Sequence, residues 1–423
     1  MSLRSLDNFV ARQIVLAGTG TSCLTGTERS TRMRVVVNQL ASLGARTGVG
    51  HYTAELIRCL RPLAGGDQIA VFPEGWVGRT RAACARLRPR LEGASRTERP
   101  AAARSGRSEL RVQAVGWLRQ LGRLVMAQHF RMVCATARYD LYHEPNFIPL
   151  PTDRPTVATI HDLSVLLHPE WHPADRVKYF DRHFETGVGR CRHFFAISEF
   201  GRQEIVRHLH ISPHQVTRTY MGIRPGLAPM DPQAVAPVLR QLKFPPRYLL
   251  YLGTIEPRKN LRLLLEAYCS LPAPVRADWP LLLVGGWGWN AGDVADYLHR
   301  EARHRGVMHV GYVADEHLPA IYNGARALLY PTLYEGFGLP PIEMMACGGA
   351  VLASTAGAVA ETVGRRAHLL DAGDQDGWRA AILRVTQDND WHRSLRKDVT
   401  AVAAPFTWEQ CVADTLRGYR QVA

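Results

Sequence analysis

A chain of 423 residues is too long for one ordinary hydrophobic core and suits two domains of roughly 150 to 200 residues each. Its 46% hydrophobic content is that of a globular protein, and no apolar run reaches the roughly 20 residues a membrane-crossing helix needs, which excludes a transmembrane helix. The eight cysteines show no metal-ligand spacing, pointing to reduced thiols in the cytosol, and the formal net charge of +14 points to anionic partners.

Met1 to Arg32 carries a short apolar stretch at Ile14–Ala17 but no compact basic start followed by a signal core. Gly18-Thr-Gly-Thr21 leads into no periodic helix and is not read as a phosphate loop. Residues 1–32 are therefore expected to be a disordered extension. The first core strand follows at Met33–Val37, then a glycine loop with Gly48 and Gly50, then a helix over Tyr52–Leu60 with Leu56 and Leu60 on one face. From Arg79 to Arg131 thirteen arginines stand against three glutamates. Such a stretch attracts phosphates, and no zinc finger, helix-turn-helix or RNA-binding motif accompanies it. The partner expected for it is an anionic membrane surface rather than a specific nucleic acid.

Pro155–Ile160 reads as a buried strand ending in His161-Asp162, and Phe194–Ile197 as another ending in Ser198-Glu199. Six prolines crowd residues 225–246 and mark a linker. Beyond it come strands at Tyr248–Leu252, Leu281–Val284, Val310–Tyr312 and Ala327–Tyr330. A last helix, Trp408–Tyr419, is capped by Thr407. The expected division is an α/β domain over 33–224, the linker, a second α/β domain over 247–400, and a terminal segment over 401–423. Each motif sits at a strand's carboxyl end, where ligands of open parallel sheets bind.

The most informative stretch is Tyr334-Glu335-Gly336-Phe337-Gly338-Leu339-Pro340-Pro341-Ile342-Glu343. The glycines let main-chain N–H groups approach a ligand, and the prolines start a helix, with Glu343 expected in its first turn, whose N-terminus suits an anion. Gly253-Thr-Ile-Glu-Pro-Arg258-Lys259-Asn260 supplies two cations in another strand-to-helix turn.

The first of these motifs resembles the signature of the retaining GT-B glycosyltransferases of family 4, and the second resembles that family's Gly-Arg-Leu-x-x-x-Lys-Gly segment. Thr254 stands where the family has arginine, and Arg258 is expected to replace the missing charge. The resemblance, over nearly all of the chain from Met33, implies two Rossmann-like domains facing across a cleft, with the last helix returning to the first domain. It implies that Glu335 lies against the donor sugar and Glu343 takes the ribose hydroxyls. The amides of Phe337, Gly338 and Leu339 would hold sugar and phosphate oxygens, and Lys259 and Arg258 the diphosphate. Val313 would touch the base through its backbone, and His161 and the Gly48–Gly50 loop would reach the cleft from the first domain. Glu335 and His161 are the candidate catalytic residues.

The activity so implied is transfer of a hexose, with retention, from a nucleotide diphosphate sugar to a glycan or lipid-linked acceptor in cell-surface polysaccharide synthesis. Gly286-Trp287-Gly288-Trp289 and the Glu-Pro-Arg-Lys-Asn variant look most like the mannosyltransferase subgroup, so GDP-mannose is the expected donor. The expected setting is cytoplasmic, peripheral on the inner face of the plasma membrane. No cofactor or metal is expected: Asp374-Gln-Asp376 and Asp388-Asn-Asp390 read as turns and helix caps, and Pro169 and Pro173 interrupt the zinc-like His168 to His172 spacing. The alternatives are a GT-B nucleotide-sugar epimerase and a non-catalytic sugar- or nucleic-acid-binding protein.

Overall fold

The computed structural model describes residues 32–43, 48–75, 122 and 124–422. The expected extension over 1–32 and most of the arginine-rich segment lie outside them. Two six-stranded sheets organise the chain. The first contains β1 (Arg34–Asn38), β2 (Gln68–Phe72), β3 (Leu141–Glu144), β4 (Thr156–Ile160), β5 (Cys191–Ala196) and β6 (Val216–Arg218), in spatial order β2-β1-β3-β4-β5-β6. The second contains β7 (Leu249–Leu252), β8 (Leu281–Val284), β9 (Val307–Gly311), β10 (Ala327–Tyr330), β11 (Ala350–Ser354) and β12 (His368–Leu370), in order β12-β11-β10-β7-β8-β9. Neighbours in both sheets pair in parallel.

Central strands such as Val35-Val36-Val37 and Leu281–Val284 are apolar at consecutive positions because helices cover both sheet faces. Strand order reverses between β1 and β3 in the first sheet and between β7 and β10 in the second. At such a point the two flanking helices diverge and leave a crevice beyond the strand ends.

The proline-rich stretch is more than a connection. It contains a helix, Pro232–Gln241, capped by Asp231 and packed against the helix Leu318–Gly324 of the second domain. The last helix, Trp408–Arg420, starts at Thr407, whose hydroxyl accepts from the Gln410 amide at 3.1 Å. It packs back on the helix Gly48–Leu63, and its Trp408, Cys411, Val412 and Tyr419 join Tyr52, Leu56 and Phe195 in one buried cluster. Direct bonds also tie the domains: the Leu163 amide donates to the Tyr334 hydroxyl at 3.1 Å, and the Trp289 indole to the Trp171 carbonyl at 2.8 Å. Glu361 accepts from the amides of Glu199 and Phe200.

Candidate active site between the two domains

A cavity of about 320 Å³ opens at the β7/β10 reversal and is closed from the opposite side by the first domain. His161, Asp162 and Gly48 line it from one domain; Arg258, Lys259, Glu335 and Val313 line it from the other. The stretch from Gly336 to Leu339 forms part of its wall.

Glu335 is the hub. Its Oε1 accepts from Lys259 Nζ, from the Tyr330 hydroxyl at 2.8 Å and from Thr332 Oγ1 at 3.2 Å, and its Oε2 accepts from Arg258 Nη1 at 2.9 Å. Burial alone would raise its pKa. The guanidinium of Arg258 and the ammonium of Lys259 outweigh burial and bring it down to about 2, so the carboxylate is ionised at neutral pH. Arg258 and Lys259 are buried rather than an exposed basic pair. Arg258 also pairs with Glu256 at 2.7 Å, while burial and the nearby Arg258 charge lower the Lys259 pKa. Asp162 adds a further negative charge facing Arg258: burial pushes its carboxyl up, but Arg258 and the Ser164 hydrogen bonds hold it below the ordinary value.

His161 is 6% exposed and edge-on to Tyr52, with ring centroids 4.8 Å apart. Its Nε2–H donates to the Pro145 carbonyl at 2.8 Å, which fixes the tautomer and leaves Nδ1 as the ring's basic nitrogen. Burial lowers its pKa, so the ring is neutral at pH 7.

Three expectations need correction. Gly48 and Gly50 are not in a loop: they lie in the first turn of the helix Gly48–Leu63, where only Gly48 meets the cavity and Gly50 is buried. Glu343 is the fifth residue of the helix Leu339–Ala346 rather than part of its first turn, because that helix begins at Leu339, before the prolines. Glu343 is also fully buried and does not line the cavity. Both its oxygens accept from Arg224 Nη1 at 2.5 Å, and Oε2 accepts from the Tyr322 hydroxyl at 2.7 Å. Arg224 therefore stands between Glu343 and the cleft.

Gly338 has φ +90°, the left-handed backbone that turns the chain into the helix and suits glycine. Phe337 presents its backbone to the cavity and buries its ring against Phe406. Among the described residues no group of three or more His, Cys, Asp or Glu could hold a metal ion. Asp374 and Asp388 each cap a helix through a backbone amide, and His172 Nε2 bonds the Ser164 hydroxyl at 3.0 Å.

Sequence reading missed Arg224, Asp162, Glu256, Tyr322 and Tyr330. Glu256 lies inside the quoted cationic turn and was legible there as a charge next to Arg258. Arg224 meets Glu343 across 119 positions, and no local pattern announces such a pair.

Residues 46–227 match the family model described as Glycosyltransferase Family 4, and residues 240–402 match Glycosyl transferases group 1. The chain is 32% identical over 376 residues to O-antigen chain mannosyltransferase B of Escherichia coli, covering 88% of this chain and 96% of that protein. It is 28% identical over 288 residues to the serotype-specific mannosyltransferase WbdA of Escherichia coli, covering 65% of this chain and 35% of that protein. Among solved structures it superposes on HepE of Anabaena in complex with UDP-glucose with a TM-score of 0.64 at 18% identity, covering 91% of this chain and all (100%) of that one. WaaG, a glycosyltransferase involved in lipopolysaccharide biosynthesis, gives a TM-score of 0.62 at 13% identity over 91% of this chain and 98% of its own. At those identities the structures speak for the fold, while the long relative and the two family models speak for descent. The chain has the GT-B fold and belongs to glycosyltransferase family 4, the glycosyl transferases group 1.

Proposed function

We infer that this glycosyltransferase moves mannose from GDP-mannose to a glycan or lipid-linked acceptor in cell-surface polysaccharide synthesis, with retention of anomeric configuration and without a metal ion. The observation that carries the reading is the buried Glu335–Lys259–Arg258 cluster facing His161 across the interdomain cavity. The donor sugar is supported by the 32% identical relative, which is named an O-antigen chain mannosyltransferase.

In the proposed reaction the bond between the anomeric carbon and the diphosphate oxygen breaks, and a bond from the acceptor oxygen to that carbon forms on the same face. The acceptor hydroxyl proton passes to the departing phosphate oxygen, so no protein base is required. Glu335 exchanges Lys259 for hydroxyls of the donor sugar, and the freed ammonium turns to the diphosphate with Arg258. A fixed donor aimed at such developing charge contributes on the order of 3 kcal/mol to the barrier. The amides of Phe337, Gly338 and Leu339 at the helix start take further oxygens, and the Val313 backbone the base. Glu343 takes the ribose hydroxyls once Arg224 has moved off it. Domain contact at His161 and Gly48 excludes water and holds donor and acceptor in register. The setting is the cytoplasm, at the inner face of the plasma membrane; among the described residues no helix is long and apolar enough to cross a membrane.

The test offers the purified protein a panel of nucleotide sugars with mannose-terminated acceptors. GDP-mannose is expected to be consumed with formation of a new glycoside, unchanged by EDTA. Release of an isomerised sugar with no glycoside would favour the epimerase reading.

A further inference from the structure

The first sheet has its own reversal point, between β1 and β3, and the interdomain reaction leaves it unused. A second cavity, of about 500 Å³, lies there, within the range of about 300 to 1,000 Å³ typical of small-molecule sites. Asn38 ends β1 and Glu144 ends β3, and both line it. The rest of the wall is mixed: Phe147, Phe180 and Tyr179 supply aromatic surface, and Arg176 a cation. Val49 lines this cavity and the donor cavity alike, so the two adjoin at the start of the helix Gly48–Leu63.

Glu144 is 3% exposed, and its carboxyl is held rather than loose. Oε2 accepts from the Tyr142 hydroxyl and from Asn38 Nδ2, both at 2.6 Å, and Oε1 accepts from the Asn146 amide at 3.0 Å. No cation pairs with it. A buried carboxyl costs free energy without such a partner, and burial raises its pKa to about 7 against those three hydrogen bonds. The chain carries a second cost two residues on. Phe147 has φ +61°, a left-handed conformation unfavourable for a bulky side chain. In that conformation its ring packs against His161 at 5.5 Å and against Phe180 at 5.5 Å, while the adjacent Pro145 carbonyl accepts the His161 proton. The segment from Glu144 to Phe147 thus forms the wall shared by this cavity and the histidine of the donor cleft.

We propose that the β1/β3 cavity is the acceptor subsite, taking the terminal sugar ring of the acceptor, with Glu144 and Asn38 binding its hydroxyls and Phe147 and Phe180 covering its apolar face. The proposal rests on the glycosyltransferase reading above. A carboxyl with a remaining lone pair on Oε1 beside aromatic rings is the chemistry that recognises a pyranose, which presents hydroxyls at its edge and C–H groups on its faces.

The test compares wild type, Glu144→Gln and Ala41→Phe. Glu144→Gln keeps the side-chain shape and alters hydroxyl recognition; Ala41→Phe fills the cavity from another wall. Each is assayed with GDP-mannose and two acceptors, a mannotriose with a soluble aromatic tag and the same trisaccharide on a polyprenyl diphosphate, and the Kd for GDP-mannose is measured by calorimetry. Both variants are expected to raise the acceptor KM at least tenfold with either acceptor while the GDP-mannose Kd changes less than twofold. Unchanged acceptor KM in Ala41→Phe, even should Glu144→Gln fold poorly, overturns the proposal. A rise confined to the lipid-linked acceptor also overturns it, since the cavity would then hold the anchor. Absence of mannosyl transfer by the wild type would instead strike the parent reading.

Discussion

The backbone of Gly336 in the second domain lies so close to the carbonyl oxygen of His161 in the first that a Cβ on Gly336 would collide with it. The donor-binding turn and the histidine that faces it are thereby held in register by main chain, with no side chain between them. Alanine at 336 meets backbone, which cannot rotate away as a side-chain tip could. Gly336→Ala is expected to hold the domains apart and slow transfer by about 10²-fold, the scale of loss that a displacement of about 1 Å can bring. The check is the turnover rate alongside small-angle scattering, where the variant gives a larger radius of gyration.

Glu335 contributes to stability as well as to the reaction. Its folded pKa of about 2 lies below the ordinary 4.5, so its contribution is fully present above pH 4.5 and is lost as pH falls toward 2. The amount is on the order of 3 kcal/mol. Glu335→Ala leaves Arg258 and Lys259 buried without it, costs roughly 3–5 kcal/mol, and abolishes transfer while the chain still folds. Chemical denaturation at pH 7 and pH 4 measures both effects; the gap between wild type and variant narrows at the lower pH.

Glu144 has the opposite sign. Its folded pKa, about 7, lies above the ordinary 4.5, so the stability tied to its neutral form is fully present below 4.5 and lost as pH rises through 7. Glu144→Gln removes that slope. Unfolding free energies at intervals between pH 4.5 and 8 are expected to fall less steeply in the variant than in wild type.

Arg224 competes with the nucleotide for Glu343. A charge-assisted hydrogen bond of this kind is worth about 1.5–3 kcal/mol, which the ribose must displace. Arg224→Met is expected to bind GDP about tenfold tighter in calorimetry and to melt at a lower temperature, because Glu343 keeps only Tyr322. Weaker GDP binding would show instead that Arg224 itself grips the nucleotide.

The returning helix ties its stability to the first domain. Trp408 is buried beside Tyr52, and the Tyr419 hydroxyl bonds His143 Nδ1 at 2.7 Å. Trp408→Ala is expected to cost about 3–5 kcal/mol and lower the melting temperature.

Elements with a continuous apolar run, such as Ala327–Tyr330 and Leu281–Val284, were legible because a strand covered on both faces has no polar alternation to obscure it. Glu335, Lys259 and the glycines between the two glutamates were legible because one strand-to-helix turn carries each group. Arg224 over Glu343, Tyr330 under Lys259 and Asp162 facing Arg258 were not, since each pairing is made by tertiary packing between distant segments. The start of the helix at Gly48 was missed for a local reason: two glycines in three residues read as a turn, and burial against the neighbouring domain overrode that propensity.

The most direct measurement is proton NMR of GDP-mannose with a mannotriose acceptor, following the anomeric signals with wild type and with Glu335→Ala. The account predicts an α-configured mannoside appearing with wild type as the α-linked donor signal declines, and no product from the variant. A β-mannoside, or equal turnover by Glu335→Ala, would contradict it.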